Sequence, residues 1–481
     1  MRICSYIIVL LFAVLFLSDC KKDKALANLG GYPNEIGKIM TLKCATAGCH
    51  NTASYLASAG LDLSTWETMF KGSSTGSPVI PFRSDFSSLC YFINSYPELG
   101  AIAYPSMPYN GDKLSKEEVS LIKNWINDGA PDLNGNIKWA DNPNRRKVYV
   151  TNQGCDVVTV FDAETQLPIR YITVGKDPNT MEIPHMIKVS ADGQFWYVVF
   201  VNSNILQKFR CSDDALVGEA NLGLYYDWNA LTLSDDGKKA YCVSWVSNGR
   251  IASVDLTQMK VINNYGGYFF PHGVALNETN DTLYVTGQTG NYIMKIDTSL
   301  ATTQTISIQP GFPPSTASTL DPHEVMLSKD KKDLYITCIK SNDVRVYNIP
   351  SNTVTHIIPV GTYPVEMAMS ATKNKLYVTC MEDVTSFAGA HGTVSEILLG
   401  GSYPEKRIAV GFMPHGIVVD DAKGLVYVAS RNLLTAGPAP HHSAVCVGRN
   451  GFLSYIDINT FTLKTRRTEI SVDPYGAAIR K

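Results

Sequence analysis

The chain has 481 residues, with 42 lysines and arginines against 44 aspartates and glutamates. That length holds two domains and a sizeable core, and the balanced charge excludes both the basic field of a nucleic-acid binder and a strongly acidic tail. The 25 tyrosines and 17 phenylalanines suit a β-rich protein.

Residues 1–20 read as a targeting segment. Met1-Arg2 supplies positive charge, and Tyr6 to Leu17 is almost wholly apolar. The run is short of the roughly 20 residues of a spanning helix. Cys20, in Leu17-Ser18-Asp19-Cys20-Lys21-Lys22, resembles a bacterial lipoprotein cleavage and lipidation site, with Asp19 where a small residue is usual. The resemblance implies an exported protein with a lipid anchor on Cys20, held at a membrane as a periplasmic, outer-membrane or cell-surface lipoprotein. The alternative is a plain signal peptide with an incidental cysteine.

Residues 30–135 read as short helices joined by loops, a small all-α domain. Ile36, Ile39, Met40 and Leu42 give one helix over Asn34 to Lys43. It leads into Cys44-Ala-Thr-Ala-Gly-Cys49-His50. Two thiols in a short run, followed directly by a histidine, are what covalent attachment of a c-type haem requires, although four residues separate the cysteines where two are usual. Ser115 and Glu118 form a capping box for a helix with an apolar stripe of Val119, Leu121, Ile122, Trp125 and Ile126, and Gly129 sits just past its end. Between the two helices lies Tyr104-Pro-Ser-Met107-Pro108, whose thioether is a soft ligand for haem iron. This order resembles the class I cytochrome c domains of exported bacterial proteins over about 100 residues. It implies one covalent haem c, with Cys44 and Cys49 as thioethers, His50 as proximal and Met107 as distal iron ligand. Export agrees, because bacterial c-type haem is attached outside the cytoplasm. A local disulfide or metal clip at the cysteines, and a loop anchor at Met107, are the alternatives. Met40 is a rival ligand, but it lies just before Cys44.

Asp132 to Arg145 is polar and rich in Gly, Pro and Asn, so a linker is expected at 136–146. From 147 to 481 one pattern recurs. Tyr149-Val-Thr is echoed at Tyr197, Tyr241, Tyr284, Tyr335, Tyr377 and Tyr427, 42 to 51 residues apart, with a proline-led turn before most copies. About four short strands per repeat at this period mean a β-propeller blade. The last turn, at Pro474, has no Tyr strand after it, and the first Tyr strand has no turn before it. The C-terminal strand is therefore expected to complete the first of seven blades. These repeats resemble the YVTN family of seven-bladed propellers, which implies fold more than function. The expected architecture is thus a small all-α cytochrome c domain followed by an all-β seven-bladed β-propeller.

The remaining cysteines (Cys90, Cys155, Cys211, Cys242, Cys338, Cys380 and Cys446) do not read as a disulfide framework. Cys90 reads as a small buried hydrophobe, and Cys338 and Cys380 as free thiols.

Four proline turns place histidine at one equivalent position: His185, His272, His323 and His415. That position rings the channel mouth of a propeller, with Glu182, Asp321, Glu324 and Glu366 nearby. Converging imidazoles suit an additional metal or an acid/base site; alternatively they bond backbone carbonyls between blades. His441-His442, in the insertion Leu433 to Asn450, is expected over the same face, whereas His356 and His391 fall off the pattern. The function expected is extracytoplasmic electron transfer by a c-type cytochrome whose propeller binds a redox partner protein or a small-molecule substrate. The alternatives are a redox enzyme with a metal or substrate site at the propeller mouth, and a non-catalytic surface binding protein. No nucleic-acid partner is expected.

Overall fold

The computed structural model describes residues 29–277, 279, 281–442 and 444–481. Residues 1–20, expected to be a targeting segment, and Cys20 within them lie outside the described residues. No helix among them is long and apolar enough to cross a membrane.

The N-terminal region holds four α-helices among the described residues: α1 (Asn34–Ile39), α2 (Trp66–Met69), α3 (Ser88–Ile93) and α4 (Lys116–Asn127). Only α4 exceeds two turns, so this is a short helical region, less helical than the all-α domain expected. The capping box forms: the Ser115 hydroxyl accepts from the Glu118 amide, and the Glu118 carboxylate accepts from the Ser115 amide. Ser115→Ala is expected to cost about 1 kcal/mol, visible as a lower urea midpoint with an unchanged slope. The first helix ends earlier than its apolar spacing predicts. It opens into a wider π turn over Met40–Cys44, where the Thr41 hydroxyl donates to the Gly37 carbonyl. Tyr32, Ile36, Met40, Met69, Val119 and Ile122 are buried together. Met40 is thus a core residue, with no exposed surface.

Among the described residues twenty-eight strands form seven four-stranded antiparallel sheets. The ring closes as expected: Pro474–Arg480 pairs with Lys147–Asn152, so the first blade takes its innermost strand from the C-terminus. Each innermost strand touches the next around the circle.

The repeat residues have identifiable duties. The motif tyrosines are buried between blades. The motif threonine joins neighbours: Thr151 accepts from the Gly476 amide of its own blade and donates to the His185 carbonyl of the next. Thr337 and Thr379 repeat the arrangement toward Val365 and His415, and Thr286 donates to the His323 carbonyl. The residue before each innermost strand is left-handed: Ile183, Asp227, Phe270, Asp321, Tyr363, Met413 and Asp473, with φ from 44° to 61°. None is glycine. The cost is met because each turns its carbonyl to accept the amide just past the Tyr strand of its blade, at 2.8–3.0 Å. Register then slips at the start of every innermost strand. Such bulges re-aim side chains, here at the second position, where the histidines stand.

The helical region packs on the outer strands of the first and last blades. Ser77 donates to the Pro168 carbonyl, Arg83 to that of Tyr171, and Arg466 to that of Ser73. Phe86 stacks on Tyr171 at 4.2 Å. These contacts cover strand edges that would otherwise invite pairing. The connecting segment is not a free tether: Trp139 is buried edge-on against Phe70, and Arg145 pairs with Asp162 at 3.0 Å.

Candidate functional site: a cavity against the first and last blades

Cys44, Cys49, His50 and Met107 line one cavity of about 830 Å³, toward the upper end of the ~300–1,000 Å³ typical of small-molecule and cofactor sites. The π turn delivers Cys44. The loop after it is closed by the His50 amide donating to the Cys44 carbonyl and the Cys49 amide donating to that of Thr46. Gly48, at φ 78°, makes the turn that the longer cysteine spacing needs. The Ser54 and Ser58 hydroxyls both donate to the Cys49 carbonyl, so the loop is held in place.

His50 has a defined tautomer. Its Nδ1 lies 3.1 Å from the Leu61 carbonyl oxygen, which only accepts, so Nδ1 carries the proton and Nε2 keeps its lone pair. Cys44 and Cys49 are free thiols, which removes the local disulfide. Burial pushes the Cys44 thiol up to about 12, so without a ligand it is neutral. Met107 is half-buried against the core, its amide donating to the Phe92 carbonyl at 2.7 Å. Leu61, Leu89, Phe92 and Ile93 supply apolar wall. Cys90 is buried, with its thiol likewise raised to about 12 by burial.

The propeller supplies the facing wall through Pro168, Tyr171, Asn450, Glu469 and the insertion histidines. His441 and His442 do not lie over the channel as expected. The insertion carries them outward: His442 meets the Tyr91 ring at 4.8 Å, and both imidazoles flank Glu469 at 3.5–3.6 Å. The expectation that the remaining cysteines stay unpaired also fails in one case. Cys446 of the insertion is bonded to Cys155 of the first blade, 291 residues away, with Cα atoms 5.5 Å apart. The two are distant in sequence, but ring closure makes the first and last blades neighbours. Cys338 and Cys380 are free, as expected. Replacing Cys155 and Cys446 by serine is expected to cost about 2–4 kcal/mol; an unchanged thermal midpoint would contradict that.

The channel histidines do converge, but on one another. All four are 1–8% exposed. His272 and His323 face each other, Nδ1 to Nδ1, at 3.0 Å, while His415 stacks on Tyr475 at 3.6 Å and His185 lies 4.1 Å from the same ring. Burial holds all four well below the usual histidine range, so they are neutral. Arg431 donates to the Gln153 carbonyl oxygen, which turns the Gln153 amide nitrogen to donate to His185 Nδ1 at 2.6 Å. His185 therefore carries its proton on Nε2, the reverse of the usual metal-ligand wiring, in which the second nitrogen donates to an acceptor. Among the described residues no three His, Cys, Asp or Glu side chains are gathered to hold one ion. Bonds to carbonyls between blades are made by the threonines, and the His272 imidazole also bonds the His323 backbone in the next blade. Glu324 and Glu366 are buried, and desolvation raises both, with repulsion from Glu366 adding to the rise at Glu324. Glu182 caps the Asp177 amide and Asp321 pairs with Lys340 at 3.3 Å. His356 is exposed and His391 bonds Glu382 at 2.7 Å.

The fold is that of a seven-bladed β-propeller preceded by a short helical region. No protein-family model matches the chain, and no curated protein matches it in sequence. Among solved structures, it is similar to a functionally unknown protein from Desulfotomaculum acetoxidans, with a TM-score of 0.53 and 14% identity over 69% of this chain and 98% of that one. It is also similar to hydrazine synthase of Kuenenia stuttgartiensis, with a TM-score of 0.49 and 16% identity over 63% and 93%. Likeness at this identity concerns the fold alone.

Proposed function

We propose that the protein is an extracytoplasmic electron-transfer protein that carries one covalent haem c in the cavity between its helical region and its propeller. The observation that carries this reading is the meeting of Cys44, Cys49, His50 and Met107 on one largely apolar cavity. The residues fit the group. Two free thiols stand ready for thioether bonds, the His50 tautomer leaves Nε2 for the iron, and Met107 offers a thioether from another segment of the cavity lining. When bound, the haem supplies a one-electron couple, whose potential a Met/His ligand pair raises. The chain's own part is to hold the ring rigidly, to exclude water with Leu61, Leu89 and Phe92, and to keep the imidazole oriented through Leu61. The Cys155–Cys446 disulfide suits an oxidising compartment, which supports export and, with it, lipid anchoring at Cys20. Its redox partner is a protein or a small molecule.

The test is a visible spectrum of the full chain produced with the c-haem maturation machinery, recorded oxidised and reduced. Sharp reduced bands that survive acid–acetone extraction support the reading. A featureless spectrum overturns it and leaves a surface binding propeller.

A further inference from the structure

A second space of about 450 Å³ adjoins the cavity between the Ile102–Tyr104 segment and the blade-seven insertion. The two spaces share Tyr104, His441, His442 and Asn450. The polar side chains of its lining are Tyr104, His441, His442, Arg449 and Asn450, each able to donate a hydrogen bond. Arg449 brings a guanidinium whose Nη2 donates only to the Gly437 and Pro438 carbonyls, at 3.1 and 3.0 Å. It forms no ion pair among the described residues, and its buried Nε has no hydrogen-bond partner. The neighbouring carboxylate, Glu469, does not balance it. Glu469 already accepts from the His441 amide at 2.7 Å and the Asn450 amide at 2.8 Å, and lies between both imidazoles.

A half-buried guanidinium without a counter-ion is costly, and with Nη2 held by the two carbonyls its Nη1 is left to donate a charge-assisted bond to an anion. We infer that this vestibule is an anion site in which Arg449, with His441 and His442, holds a carboxylate. Two sources share that chemistry: a propionate of a haem in the adjoining cavity, or a free small carboxylate entering beside it. The site itself stands without the haem; only the choice between sources rests on the reading above.

The first measurement uses the full chain made without haem maturation, titrated with acetate at constant ionic strength against a chloride control. Saturable binding is expected, weakened at least tenfold in Arg449→Gln. Because Arg449 also ties down the insertion, Arg449→Lys and a His441→Asn/His442→Asn pair are measured beside it. Arg449→Lys should keep part of the affinity and the histidine pair should lose part. Absence of saturable binding, or wild-type affinity in both Arg449 variants, overturns the site. The second measurement repeats the titration on haem-loaded protein. If acetate no longer binds and Arg449→Gln lowers the midpoint potential, the carboxylate is a propionate. If acetate still binds, it is a free ligand. Failure of haem loading would overturn the haem reading alone, since the first titration does not involve it.

Discussion

Full-length protein carrying Cys44→Ser and Cys49→Ser is expected to leave the maturation machinery without covalent haem, while its propeller keeps its cooperative unfolding. Serine cannot form the thioether, and both cysteines stand on the cavity wall. A smaller change separates attachment from ligation. His50→Ala leaves both thiols, so haem attaches but loses the imidazole whose tautomer Leu61 fixes. Its spectrum should change spin state, and its midpoint potential should move. Met107→Ala should preserve attachment and lower the potential, because a soft ligand to reduced iron is lost. Covalent haem of normal spectrum in the double serine variant would end the proposal.

The second large effect concerns pH. His185, His272, His323 and His415 are held below the ordinary value by burial, His272 at about 4. The unfolded chain titrates its histidines near 6.5. Between those values the unfolded state binds more protons, so stability present above about 6.5 is lost as the pH falls toward 4. For His272 alone the loss is on the order of 3 kcal/mol. Glu324 and Glu366 act in the opposite sense. Their folded values are raised by burial, so the stability they contribute is complete below the ordinary glutamate range and lost as the pH rises through neutrality. Lys188 moderates both, and Arg431 acts with burial on His185 and His415. The unfolding midpoint should therefore peak in mildly acidic solution. His272→Asn with His323→Asn should flatten the limb between pH 4 and 6.5, and Glu324→Gln with Glu366→Gln the limb above. A wild-type midpoint constant from pH 4 to 6.5 would contradict the scheme.

The propeller was legible because its signals are periodic. The recurring Tyr-Val-Thr marks each second strand, and the unmatched turn at Pro474 revealed the closure of the ring. Ser115 and Glu118 marked a helix start because a capping box is a local interaction. Histidine convergence was legible too, since equivalent positions in a closed ring must face its axis. What those imidazoles do there was not legible. It depends on Gln153, whose orientation is set by Arg431 from another blade, and no spacing in the sequence carries that. The insertion gave no direction of its own. Its path is set by Cys446 and Glu469, which anchor it beside the helical region. The Cys155–Cys446 pair was obscured because seven cysteines, an odd number, remain once Cys4, Cys20, Cys44 and Cys49 are set aside.

The disulfide has a mechanical consequence. A propeller is a hoop with one joint, where the last blade meets the first. Fastenings across that joint include the C-terminal strand, the Cys155–Cys446 bond, the Arg146–Asp420 pair and the helical region, which grips Pro168 on one side and Arg466 on the other. The cavity opens on the same joint, with Tyr171 from the first blade and Glu469 from the last among its walls. Whatever sits in that cavity is therefore a clasp. Its binding free energy opposes opening of the hoop, and a chain whose hoop has sprung loses the propeller wall of that cavity.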